Sequence, residues 1–123
     1  MEVLIVDDDD DIREVARLSL ELIGGWIVFA AARGADAIKH ALERPPDVIL
    51  LDVMMPAMDG VETLRRLSGD PTTRHIPVIF LTAKAQTGER MELEAMGASG
   101  LIAKPFDPVT LPHEIEMILS RLT

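Results

Sequence analysis

Four places along the chain set a reactive polar group directly behind a short apolar run. Asp7 and Asp8 follow Val3-Leu-Ile-Val6, and Asp52 follows Val48-Ile-Leu-Leu51. Thr82 follows Pro77-Val-Ile-Phe-Leu81, and Lys104 follows Leu101-Ile-Ala103. Three carboxylates gathered within ~4 Å of one another would repel by about 4 kcal/mol per pair at an effective dielectric near 20. Such a group either takes up protons or binds a cation. An all-oxygen site with few protein ligands suits Mg²⁺, which keeps several waters and often binds beside phosphate. Lys104 adds a positive charge and Thr82 a hydroxyl donor, both suited to phosphoryl oxygens. Metal, cation and donor around one carboxylate is the arrangement for in-line phosphoryl transfer onto that carboxylate.

These groups meet only if the runs that carry them lie side by side. Val3–Val6, Trp26–Ala30, Val48–Leu51, Pro77–Leu81 and Leu101–Ala103 read as five strands, mostly without polar alternation, as expected of strands covered on both faces. Helical spacing of apolar residues runs over 11–23, 36–43, 60–67, 89–96 and 109–122. Gly24-Gly25 and Pro45-Pro46 are natural stops, and Pro112 falls in a first helical turn, where its missing N–H costs little. Strand and helix alternating five times predict a doubly wound α/β fold, a parallel sheet with helices on both faces joined by right-handed crossovers. In such sheets ligands bind beyond the carboxyl ends of the strands. Only the second strand ends without a reactive group, in Ala30-Ala31-Ala32.

Composition narrows the classes. A length of 123 residues with 48% hydrophobic content fits one packed domain, expected to occupy residues 1–123 with no output domain in the chain. The formal charge of −9 argues against direct nucleic-acid binding. Cysteine is absent, which removes disulfides, thiolate metal sites and cysteine nucleophiles. No apolar run approaches the roughly 20 residues of a membrane span, and the start has no basic signal-peptide region. The expectation is a soluble cytoplasmic domain.

At these residues the chain resembles the receiver family of two-component response regulators. The matching segments are Leu4-Ile-Val-Asp-Asp8, Leu51-Asp-Val-Met-Met-Pro56 with Met58-Asp-Gly60, Pro77-Val-Ile-Phe-Leu-Thr-Ala83, Gly97-Ala98 and Lys104-Pro-Phe106. The resemblance spans essentially the whole chain, in order. It implies a flavodoxin-like five-stranded sheet of order 2-1-3-4-5 with five helices. It also implies that Asp52 is the phosphoacceptor, served by a histidine kinase or histidine phosphotransfer protein. Asp8, Asp52 and the backbone carbonyl of Met54 would ligate Mg²⁺ directly, and Asp7 through metal-bound water. Lys104, before a cis Pro105, would pair with the phosphoryl oxygens. Thr82 would move toward them, with the small Ala83 leaving room. Such a domain is no conventional enzyme, although it hydrolyses its own aspartyl phosphate. An unnamed output protein or domain, and a phosphorylation-dependent dimer, are the further partners implied.

Two departures bear on the readout. Leu101 stands where the family usually has a switch aromatic. Met54 and Lys84 occupy the variable positions flanking the phosphate, and they imply slower self-dephosphorylation than in the chemotaxis type. By family analogy the phosphodonor docks on the first helix near Ile12 and Val15. The output face would form around Met91, Leu101 and Val109.

Other readings of the same residues carry different weight. Asp9 to Asp11 are better explained as helix-capping carboxylates than as metal ligands. A calcium loop starting at Asp7 would need Gly and Glu where Ile12 and Leu18 stand. Met54, Met55 and Met58 read as packing, Phe106 as a core anchor, and His40, His75 and His113 as surface residues. A dehalogenase-type phosphatase needs a second Asp where Met54 stands, and a dinucleotide site needs a glycine-rich first turn. A docking module of receiver fold that works without phosphorylation is the remaining alternative.

Overall fold

The computed structural model describes residues 1–83 and 87–122, the side chain of Thr87 excepted. Five strands, β1 (Glu2–Val6), β2 (Ile27–Ala31), β3 (Val48–Asp52), β4 (Val78–Thr82) and β5 (Gly100–Ala103), form one parallel sheet in the order β2-β1-β3-β4-β5. The helices are α1 (Asp10–Leu18), α2 (Gly34–Glu43), α3 (Gly60–Ser68), α4 (Thr87–Ala95) and α5 (Leu111–Ser120). The doubly wound expectation and its strand order are both met. No helix among the described residues is long and apolar enough to cross a membrane.

Successive strand side chains point to opposite faces, and two cores result. Leu4, Val6, Ile49, Leu51 and Phe80 pack with Ala37, Ala41, Leu64, Leu67 and Leu93, which places α2, α3 and α4 on one face. Val3, Ile5, Leu50, Ile79 and Leu81 pack with Ala16, Leu20, Leu111 and Ile115, which places α1 and α5 on the other. The central strands β3 and β4 are buried along their whole length. Each fully buried Leu or Ile contributes about 1.5–3 kcal/mol, so the two cores hold the strand ends in place.

Some boundaries differ from the sequence expectation. The first helix is regular only to Leu18 and continues as a π-helical turn over Ser19–Ile23. Its seven apolar residues exceed what one face can bury. Ala16 and Leu20 go inside, while Val15, Leu18, Leu22 and Ile23 remain exposed. Gly25, at φ 72°, is the glycine that uses the left-handed region after this turn. The second helix starts earlier, at Gly34, because a glycine there lets its backbone approach Thr63, whose Oγ1 lies 2.2 Å from where a Cβ would stand. The last helix is shorter than 109–122 at both ends.

Candidate phosphoryl and metal site

β1, β3, β4 and β5 end at one edge, and their terminal residues meet there. Asp7 follows β1, its amide donating to the Ala31 carbonyl at 3.2 Å, which ties it to the end of β2. Asp52 is itself the last residue of β3 and pairs in register with Leu81, while Thr82 pairs with Ala103. The Lys104 amide donates to the Thr82 carbonyl at 2.9 Å, so the lysine leaves the sheet beside β4. The Lys104–Pro105 peptide is cis, as expected.

Two of the carboxylates converge on the Lys104 ammonium. Lys104 Nζ donates to Asp7 Oδ2 at 2.7 Å and lies 3.1 Å from Asp52 Oδ1. Asp7 and Asp52 are buried, whereas Asp8 is exposed. Asp7, Asp8 and Asp52 each offer a carboxylate oxygen, and the three atoms lie within 4.8 Å of one another. Three carboxylates gathered in this way form an all-oxygen donor set, which fits a hard divalent cation. Backbone amides hold the acids in place: Asp9 N donates to Asp7 Oδ1 at 2.9 Å and Met54 N to Asp52 Oδ1 at 3.3 Å.

Burial raises the Asp52 pKa above the ordinary carboxylate range, and the nearby Asp7 charge adds to this. The hydrogen bond and charge of Lys104 oppose the rise without cancelling it. Burial works against the Lys104 charge, but its bonds to Asp7 and Asp52 outweigh that and hold its pKa above the usual lysine value. A cation entering among the carboxylates would shift the Asp52 balance toward the ionised form.

The remaining predicted residues divide. Thr82 is buried at the same edge, and Ala83 next to it is exposed. Met54 is 72% exposed, so it is not a packing residue, because the chain turns outward right after Asp52. Met55 does pack, and Met58 is half-buried. Phe106 is partly buried against the α1/α5 core. Leu101 is 5% exposed and belongs to the core that contains Phe80 and Leu93, so its side chain contributes little to an outer face; Met91 and Val109 are both well exposed. His75 and His113 are at the surface, but His40 is half-buried, its ring 4.8 Å from that of Phe29. Lys84 lies outside the described residues.

Asp9 is the cap of α1, accepting from Asp11 N and Ile12 N at 2.9 and 3.2 Å. Asp10 pairs with Arg13. Only Asp7 and Asp8 of the acidic run therefore join the site. The supporting roles of two residues, Arg13 and Gly60, were not read from the sequence. Arg13 Nη1 donates to the Asp7 carbonyl at 2.8 Å, and its only sequence signal was a position on the first turn of α1. Gly60 lets α3 start against β3, for a Cβ there would stand 2.3 Å from the Asp52 carbonyl oxygen. The Asp59-Gly60 pair was its signal, because Asp59 caps α3 through Glu62 N at 2.9 Å.

A family model described as the response regulator receiver domain matches residues 3–116. The chain belongs to the response-regulator receiver family. Among the receiver's relatives, response regulator PleD of Caulobacter vibrioides is 44% identical over 111 residues, covering 89% of this chain and 24% of that protein. The phosphate regulon transcriptional regulatory protein PhoB of Pseudomonas aeruginosa is 39% identical over 119 residues, covering 97% of this chain and 52% of that protein. The receiver thus spans about a quarter to a half of the length of these curated relatives. The structure of the chemotaxis response regulator CheY4 of Vibrio cholerae superimposes with a TM-score of 0.89 at 33% identity, covering 95% of this chain and 97% of that one. The chain is therefore a receiver domain of the two-component response-regulator family.

Proposed function

We propose that Asp52 accepts a phosphoryl group from a phosphohistidine of a partner kinase or histidine phosphotransfer protein. The observation that carries this reading is the single ammonium of Lys104 held at 2.7 Å from Asp7 and 3.1 Å from Asp52. An Asp52 carboxylate oxygen forms the new O–P bond, the P–N bond of the donor breaks, and the histidine nitrogen keeps the electron pair. Lys104 stands ready to exchange a carboxylate partner for a phosphoryl oxygen, and Asp7 keeps it pointed at Asp52. Thr82 is at hand for a second phosphoryl oxygen, and the small Ala83 leaves space in front. Asp8, Asp52 and the Met54 carbonyl would hold Mg²⁺ directly and Asp7 through water. The ion's contribution when bound is to neutralise charge on the phosphoryl oxygens.

Loss of the phosphoryl group by hydrolysis would return the domain to its resting state. Residues 1–123 act as one such unit. The donor docks on α1, where Ile12 and Val15 line an apolar cleft of about 410 Å³ against Ala83, Pro105 and Phe106 beside Lys104. The added charge of about −1.5 to −2 shifts a pre-existing equilibrium of the face built by α4, β5 and α5. Met91 on α4 and Met117 on α5 are exposed apolar groups there, and the exposed Val109 lies just before α5.

Intact-mass analysis after acetyl phosphate and Mg²⁺ tests the assignment. The native chain is expected to gain one phosphoryl group and Asp52→Asn none. An adduct equally present in both overturns the Asp52 assignment. Leu101 in place of the usual switch aromatic favours the second reading, a docking module without phosphorylation. Absence of the adduct from both proteins would support that reading.

A further inference from the structure

α4 is poorly anchored. Leu93 is its one buried side chain among those described, and the position one turn earlier on the same face is Glu89 instead of a second apolar residue. Glu89 Oε2 is buried and has no hydrogen-bond partner among the described residues. An unsatisfied buried oxygen weakens the docking of the helix that carries it. Glu89 and Leu93 line a cleft of about 130 Å³ together with Glu92, Val53, Met54 and Thr82. Val53 and Met54 directly follow Asp52, so this cleft opens beside the acceptor. Arg90 on the same helix pairs with Glu94 at 3.9 Å, and among the described residues no cation pairs with Glu89.

We infer that Glu89 is the group through which charge at Asp52 is transmitted to α4. The inference rests on Asp52 being the phosphoacceptor. In the resting domain the Glu89 carboxylate already strains the helix contact. A phosphoryl group on Asp52 adds negative charge at the other wall of the same cleft, where low polarisability strengthens repulsion. α4 then loosens from Val53 and Met54, with Leu93 as its one buried side chain among those described. Coupling of this kind needs no rotating aromatic side chain, which accords with a buried Leu101.

Hydrogen-exchange mass spectrometry of the segment 87–95 tests this on the full chain, with intact mass read on the same samples. Glu89→Leu is expected to slow exchange of α4 about tenfold without any phosphoryl donor, because it replaces an unsatisfied carboxylate by an apolar contact. Phosphorylation of the native chain is expected to speed that exchange about tenfold, and that of Glu89→Gln by less than about threefold at equal adduct, since the isosteric amide carries no charge. Equal acceleration in the native chain and Glu89→Gln overturns the inference while leaving the Asp52 assignment intact. So does a Glu89→Leu protein whose α4 exchanges as fast as the native one. Absence of an adduct from the native chain overturns both, and the mass reading tells that failure apart from the others.

Discussion

Burial disfavours the charge of both Asp52 and Lys104, raising the carboxyl pKa and opposing the rise of the lysine one. The Asp52 pKa is raised by burial and by Asp7, so the native state holds its proton more tightly than the unfolded chain does. Stability from this group is present at low pH and is lost as pH rises through the raised folded value. At neutral pH the ionised Asp52 is a cost. Asp52→Asn is therefore expected to stabilise the metal-free domain at pH 7 and to raise its Tm. The gain should fade below about pH 4, where a carboxyl in the unfolded chain is itself protonated. Thermal unfolding of the two proteins from pH 3 to 8 measures it. Lys104 acts the other way. Lys104→Met leaves Asp7 and Asp52 buried without their cation and is expected to cost about 3–5 kcal/mol without divalent metal. Denaturant unfolding with and without Mg²⁺ checks this, and Mg²⁺ should recover part of the loss.

The supporting elements are placed by backbone geometry as much as by hydrophobic spacing. α3 starts directly against the end of β3, its first amide donating to the Val53 carbonyl at 2.9 Å, and only glycine fits at position 60. Gly60→Ala must push the helix start or the Asp52 carbonyl aside. A destabilisation of about 2–4 kcal/mol is expected, together with slower phosphorylation, because the displaced atom belongs to Asp52. Rapid-quench or mass-resolved phosphorylation kinetics would show the second effect. At the other acidic element, Asp9→Ala removes the α1 cap and should cost about 1 kcal/mol without changing the extent of phosphorylation. The contrast separates Asp9, which serves the helix, from Asp7 and Asp8, which serve the site. Both the capping role of Asp9 and the strand-end position of the working acids were readable from order alone, since a cap and a strand end have local signatures.

Over the whole molecule, a net charge of −9 is concentrated near one sheet edge by the run Asp7 to Asp11. Binding of a divalent cation there should therefore register as global stability. At about a hundred times its dissociation constant, Mg²⁺ is expected to add about 2.7 kcal/mol. Asp8→Asn should remove most of the rise in Tm, and calorimetry over a Mg²⁺ series measures it. Residue order by itself determined the alternation of five strands and five helices and the delivery of Asp7, Asp8, Asp52, Thr82 and Lys104 to strand ends. Both follow from periodicity and chain breakers, which act over a few residues. The fold decided which of those ends are neighbours. Lys104 reaches both Asp7 and Asp52 only because β3 lies between β1 and β4, with β5 beyond. The outward turn of Met54, the burial of Leu101 and the half-buried place of Glu89 were likewise undecided by order. Each depends on packing between segments distant in the chain, where register and available volume choose the side a residue faces.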